Sequence, residues 1–294
     1  MIVLHKYMRA IGFSKVTDKE GLKEVLTEAV RDHNSCVASE VDEHVRLINL
    51  SKNFSPSLGV AVCGDYRTEN HFVCDYYYPF LQSYIKSVDE EIQVERHASQ
   101  NSYAGMCEEV NFGIILIFYL QNQTAYFQAK ERHDLTNYYI SLTGLSVSGK
   151  ILLPIEKNVV QRKSERELAH KRTKLLREAR EGNEDAIETL TVEDMNTYNA
   201  ICQLIQHEDL YSIVDTSFIP SGVESDHYTV LGEIMDCRKE QNIYTGEEIN
   251  ILTLNSNDIT MEVAINTLDL MGEPAVGRRF KGEVWLQGTI HIVH

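Results

Sequence analysis

The chain has 294 residues, 43% of them hydrophobic and 24% charged, with a formal net charge of −16. That composition is ordinary for a soluble globular protein, and the length predicts about two domains whose core needs neither metal nor disulfide. The acidic balance repels phosphate backbones and anionic lipid, which argues against nucleic-acid and membrane partners for the chain as a whole.

The longest apolar run, Phe112–Leu120, falls far short of the ~20 residues that span a bilayer. The opening residues carry no basic region leading into an apolar stretch with a small-residue cleavage site, so no signal peptide is expected. Cys36, Cys63, Cys74, Cys107, Cys202 and Cys237 are scattered without a C-x-x-C, which fits a reduced, cytoplasmic protein.

Thr17 to Glu20 reads as a capping box opening a helix, and Leu22, Val25, Leu26, Ala29 and Val30 then give it one buried stripe. From His44 to Ile155 the pattern is strand-like. Leu58–Tyr66 and His71–Tyr78 flank a polar turn and predict a hairpin whose register opposes Cys63 and Cys74. Gly113–Leu120 is continuously apolar and is expected to be a central strand covered on both faces. Tyr138–Leu145 and Lys150–Ile155 flank a Gly/Ser stretch and predict a second hairpin.

Gln161–Arg180 lacks Gly and Pro and reads as a long helix with a narrow stripe of Leu168, Leu175, Leu176 and Ala179, ended by Gly182. A short helix Asn183–Leu190 follows. A third, capped at Thr191, is expected to turn Met195, Tyr198, Ile201, Cys202 and Ile205 inward. Strand candidates then return at Tyr228–Met235, Ile249–Leu254, Ile259–Ile265 and Phe280–Val293. In the last, Phe280, Val284, Leu286, Ile290 and Ile292 share one face, and Lys281, Glu283, Trp285, Gln287 and His291 the other.

The fold class is therefore α+β. An N-terminal antiparallel-sheet domain with a flanking helix (1–157) precedes a helical connector (158–212) and a C-terminal small β-barrel or curved sheet (213–294).

No motif names a reaction. Gly144–Lys150 resembles a phosphate-binding loop, but Ile151 stands where a magnesium-binding hydroxyl belongs and no helix follows, so a Gly/Ser turn is the better reading. His291 and His294 would point to opposite faces of a strand, and no metal-ligand spacing appears, so no metal or cofactor is expected. Asp226 and His227 would make a base and its orienter, yet neighbours on a strand diverge. No catalytic residue is assigned. The run Gln161–Arg180 carries eight cations and three anions, read first as a solvated helix face, then as a surface docking onto the protein's own acidic parts, then as a foreign docking site. Tyr76, Tyr77 and Tyr78 cannot all face one side of a sheet. Arg278, Arg279, Lys281 and Trp285 concentrate residue types enriched at binding surfaces and are the candidate binding residues. Trp285 is expected to lie under the connector or a partner subunit.

Five stretches together carry a resemblance: LHKYMRAIGFS (4–14), FGIILIFYLQN (112–122), GKILLPIEK (149–157), AREGNEDAIETLTVEDMNTY (179–198) and, most specifically, DLMGEPAVGRRFKGEVWLQG (269–288). They resemble a domain-of-unknown-function family of about this length from anaerobic Gram-positive bacteria. The resemblance implies a cytosolic bacterial protein and carries no activity, ligand or catalytic residue. The leading functional expectation is a non-enzymatic binding or scaffold protein acting through the barrel surface and connector, with a protein partner or as a homo-oligomer. Its rivals are an enzyme holding a small anionic substrate on Arg278, Arg279 and Lys281, and an RNA binder using the basic helix.

Overall fold

The computed structural model describes residues 4–42, 45–68, 71–88, 91–96, 102–109, 114–155, 171–172, 174–179, 182–205, 214–222 and 225–293. Strand accounts for 51% of the described residues and helix for 22%, segregated rather than alternating, which is an α+β architecture.

After a 3-10 turn at Lys6–Ile11, helix α1 spans Lys19–Arg31. Its cap is Asp18, whose carboxylate accepts the Gly21 N–H at 2.8 Å, rather than the Thr17 of the expected box. Strands β1 (Ser35–Asp42), β2 (Val45–Asn53), β3 (Leu58–Thr68) and β4 (His71–Leu81) form an antiparallel sheet in chain order. The β3–β4 hairpin is where the sequence puts it, but two register shifts interrupt it. Cys63 therefore pairs with Tyr76 and Cys74 with Gly64, and the expected opposition of the two thiols does not form.

Strands β5 (Ile92–Arg96), β6 (Tyr103–Glu109) and β7 (Ile114–Leu120) lead to helix α2 (Gln123–Glu131) and the long strand β8 (Tyr138–Leu152). Strand β7 lies between β6 and the last strand, β14 (Arg279–Ile292), yet Ile115 is 57% exposed. The expectation of cover on both faces therefore fails at Ile115, and along its edge β7 meets β14 only at Tyr119 and Leu120. Strand β8 is continuous where a hairpin was expected. Its Gly/Ser stretch serves close packing, not a turn: a Cβ on Gly144 would sit 2.2 Å from Val284 Cγ1, and one on Gly149 would sit 2.4 Å from the Phe280 ring.

Helix α3 runs unbroken over Glu184–Ile205, not as two helices. The Thr191 hydroxyl donates back to the Ile187 carbonyl at 2.8 Å, as a mid-helix threonine does, instead of capping a new start. Met195, expected inside, is 62% exposed. The side chains of Tyr198, Ile201, Cys202 and Ile205 lie outside the described residues, as does 161–170 of the basic run. Within that run Lys171 pairs with Glu193 of α3 at 3.1 Å.

Strands β9 (Ser217–Pro220), β10 (His227–Gln241), β11 (Glu248–Ser256), β12 (Ile259–Asn266), β13 (Leu270–Met271) and β14 (Arg279–Ile292) complete the fold. Pairings β8–β12, β12–β11, β11–β10, β10–β14 and β14–β8 bring five strands into a partly closed ring. One of its members, β8, precedes the connector. The ring interior is filled by alternate residues, among them Ile259, Met261, Val263 and Ile265 of β12 and Phe280, Val284, Leu286 and Ile290 of β14. A second core joins α1, the 3-10 turn and the four-stranded sheet to the outer face of the ring through Leu145, Ile249, Ile251, Ala264 and Trp285.

Gly149→Ala should lower stability by about 1–3 kcal/mol through overpacking against Phe280. Trimming the partner, in Gly149→Ala with Phe280→Leu, should cost less than the two single changes summed. Denaturant midpoints of the four proteins check this, and strict additivity would contradict the packing.

Candidate functional site

Strand β14 turns one face into the ring and the other toward the N-terminal layer, so Trp285 lies on the outer face as its position in the alternation predicts. It is nevertheless 4% exposed. Among the described residues its cover is the chain's own start rather than the connector. The indole stacks on Tyr7 (centroids 5.4 Å apart, planes at 23°), with His5 at 4.6 Å and Tyr119 at 5.1 Å.

The indole N–H donates to Asp226 Oδ2 at 2.7 Å. The other carboxylate oxygen, Oδ1, is 2.7 Å from Nδ1 of His227, the residue paired with Trp285 across the ladder. The expected divergence of Asp226 and His227 does not occur, because Asp226 stands in the bend before β10, where its carbonyl accepts the Leu286 N–H at 2.8 Å. A half-exposed imidazole held by a fixed carboxylate is the arrangement of a general acid–base pair.

His5 closes the cluster from above. Burial pushes its imidazole down to about 4, and His227 pushes the same way against the opposing pull of Asp226. Its Nδ1 has no hydrogen-bond partner among the described residues, and its backbone N–H donates to Tyr77 Oη at 2.7 Å. All three successive tyrosines are buried because both faces of the sheet are covered there. Tyr78 Oη donates to the Gln121 carbonyl at 2.7 Å and Tyr76 Oη accepts from Gln123, while Tyr77 turns to the opposite side.

The candidate cations and Trp285 reach different partners. Arg278 Nη1 donates to the Glu273 carbonyl at 2.6 Å. Arg279 is buried, and its Nε and Nη1 donate to the carbonyls of Leu153 (3.1 Å) and Val214 (2.9 Å). It thus clasps the chain where it leaves β8 to where it returns before β9. Burial lowers its pKa, against the raising effect of Asp215. Lys281 is half-buried beside its cross-strand neighbour Lys150.

A cleft of about 710 Å³ opens elsewhere, between α1 and the β3–β4 hairpin. Leu22, Leu26 and Val30 form one wall, and Val62, Phe72 and Cys74 the other. Lys19, Lys23, Thr27 and Arg31, each four residues apart on α1, form the adjacent ridge along its edge. Burial pushes the Cys74 thiol up to about 11, with Asp75 adding to the shift, so it is an uncharged lining group rather than a nucleophile. The size lies within the range of small-molecule sites, ~300–1,000 Å³. Sequence reasoning found the stripe but not the cleft; the available signal was a cationic ridge beside an apolar one on the same helix.

Residues 8–288 match the family model described as "Domain of unknown function, E. rectale Gene description (DUF3881)", and the chain belongs to that family. No curated protein and no solved structure matches it. No helix among the described residues is long and apolar enough to cross a membrane.

Two measurements check the Trp285 cluster. The emission of this single tryptophan should be blue-shifted and resist acrylamide; a water-like, freely quenched spectrum would contradict its cover. The depressed His5 pKa makes stability fully present above the usual value of 6.5 and lost as pH falls toward about 4, since the unfolded chain binds the proton first. His5→Phe should remove on the order of 2 kcal/mol of that acid-side loss, read as the difference between the two proteins' denaturation midpoints at pH 7 and pH 4.5.

Proposed function

We propose that this family member is a cytoplasmic, non-enzymatic binding protein whose ligand enters the cleft between α1 and the β3–β4 hairpin. The observation that carries the reading is the cleft itself, an apolar-walled cavity of about 710 Å³ beside an orderly helix face. The barrel surface around Trp285 is a weaker candidate, because the chain's own His5 and Tyr7 already cover it. The guanidinium of Arg279 is likewise engaged with backbone carbonyls.

A second reading, an enzyme using Asp226 and His227 as an acid–base pair, draws on their 2.7 Å contact. Turnover of a small carboxylate or phosphate ester that is lost in His227→Gln would support it, and equal turnover in the two proteins would sink it.

The binding reading is tested with a neutral fluorescent hydrophobe, N-phenyl-1-naphthylamine. The intact protein should bind it at a single site with micromolar affinity. Val30→Asp at the cleft wall should weaken binding about ten-fold or more, because an ionised carboxylate there opposes desolvation of the apolar probe. A thermal melt confirms that the variant is folded. Unchanged affinity in a folded variant would place the probe elsewhere and overturn the reading.

A further inference from the structure

We propose that the ligand of this cleft is a long-chain carboxylate, lying with its alkyl chain along α1 and its head group against the Lys23–Arg31 edge. This rests on the binding reading above and names its ligand class. Leu22, Leu26, Val30, Val62 and Phe72 make the floor mainly apolar, and the Thr27 hydroxyl at its edge already donates to the Lys23 carbonyl. A polar molecule would lose water there without recovering hydrogen bonds. The cleft follows the helix from Lys19 to Arg31, roughly 18 Å at 1.5 Å per residue, which suits an extended chain better than a compact ring system.

Lys19, Lys23 and Arg31 are the charged residues of α1 that line this groove, Lys23 and Arg31 at exposed positions, and the helix's Glu20, Glu24 and Glu28 are not among its lining. In a chain of net charge −16 a cationic edge beside an apolar floor is a local reversal of sign. It complements a ligand with one anionic end and one apolar end, and it disfavours a cationic amphiphile of the same length. Arg31 bonds Glu28 one turn back, but its side chain is 75% exposed, and surface pairs of that kind yield readily to a competing carboxylate. The thiol of Cys74 stays protonated in the wall, so binding is non-covalent.

The test uses the full chain and three probes with the same alkyl tail: dodecanoate, 1-dodecanol and dodecyltrimethylammonium, each below its aggregation concentration. Each is titrated against bound N-phenyl-1-naphthylamine. Dodecanoate should displace the dye at about ten-fold lower concentration than dodecanol, and the ammonium should be weakest. Lys23→Glu with Arg31→Glu, both at exposed positions, should abolish the advantage of dodecanoate and leave dodecanol unchanged. If dodecanoate binds no tighter than dodecanol, or if the double variant keeps its preference, the ligand class is wrong while the binding reading stands. If neither the dye nor any probe binds, both fall.

Discussion

Strand β14 is the constraint on which the rest of this fold depends. It pairs with β10, β8 and β7, so it joins both sides of the ring to the hairpin extension β5–β7. Its even-numbered residues fill the ring: Phe280, Val284, Leu286 and Ile290 belong to the interior cluster. Its odd-numbered residues weld the ring to the N-terminal layer. Trp285 stacks under Tyr7, Gln287 Nε2 donates to the Pro79 carbonyl at 2.8 Å, and His291 Nε2 lies 3.1 Å from the Ser83 carbonyl. A one-residue slip would exchange these two sets and put glutamine and histidine into the ring.

The weld is polar and buried, which makes it specific. Gln121 Nε2 lies 2.8 Å from Gln287 Oε1 and 3.2 Å from Thr143 Oγ1, and Thr289 donates to Gln121 Oε1 at 3.0 Å. Tyr78 and Asn49 extend the network into the four-stranded sheet. Such a network favours one arrangement because any other leaves buried groups unpaired. The turn between β10 and β11 adds a second clamp. There Asn242 donates to the Ile11 carbonyl and Thr245 to the Gly12 carbonyl, which fixes the turn that carries Tyr7 over Trp285.

What the sequence made legible follows from local periodicity. The alternation of Ile259, Met261, Val263 and Ile265 identified an inward face, and the parity of β14 placed Trp285 outside the ring. What it concealed depended on distant partners. Gly144 and Gly149 look like turn residues until Val284 and Phe280 are seen to need the space. Thr191 reads as a cap until its hydroxyl is seen bonded back along the helix. Nothing near Trp285 in the chain announces that His5 and Tyr7 cover it. The cleft is hidden for the same reason, since a helix stripe reveals a buried face but not where the opposing wall stands back.

The placement of that cleft has a consequence for how the protein can vary. The ring closes only when β8 meets β14, across the whole connector and most of the second half of the chain. Pairing of that kind is non-local and forms at an entropic cost that grows slowly with the length of the intervening loop. Arg279 holds the two ends of that excursion together by bonding the carbonyls of Leu153 and Val214. The cleft, by contrast, is built from α1 and the neighbouring β3–β4 hairpin, elements close in sequence. Exposed positions such as Lys23 and Arg31 take no part in the weld around β14. Substitutions there change what the cleft presents to a ligand without disturbing the strand that holds the molecule together, a separation that leaves recognition free to vary while the packing frame stays as it is.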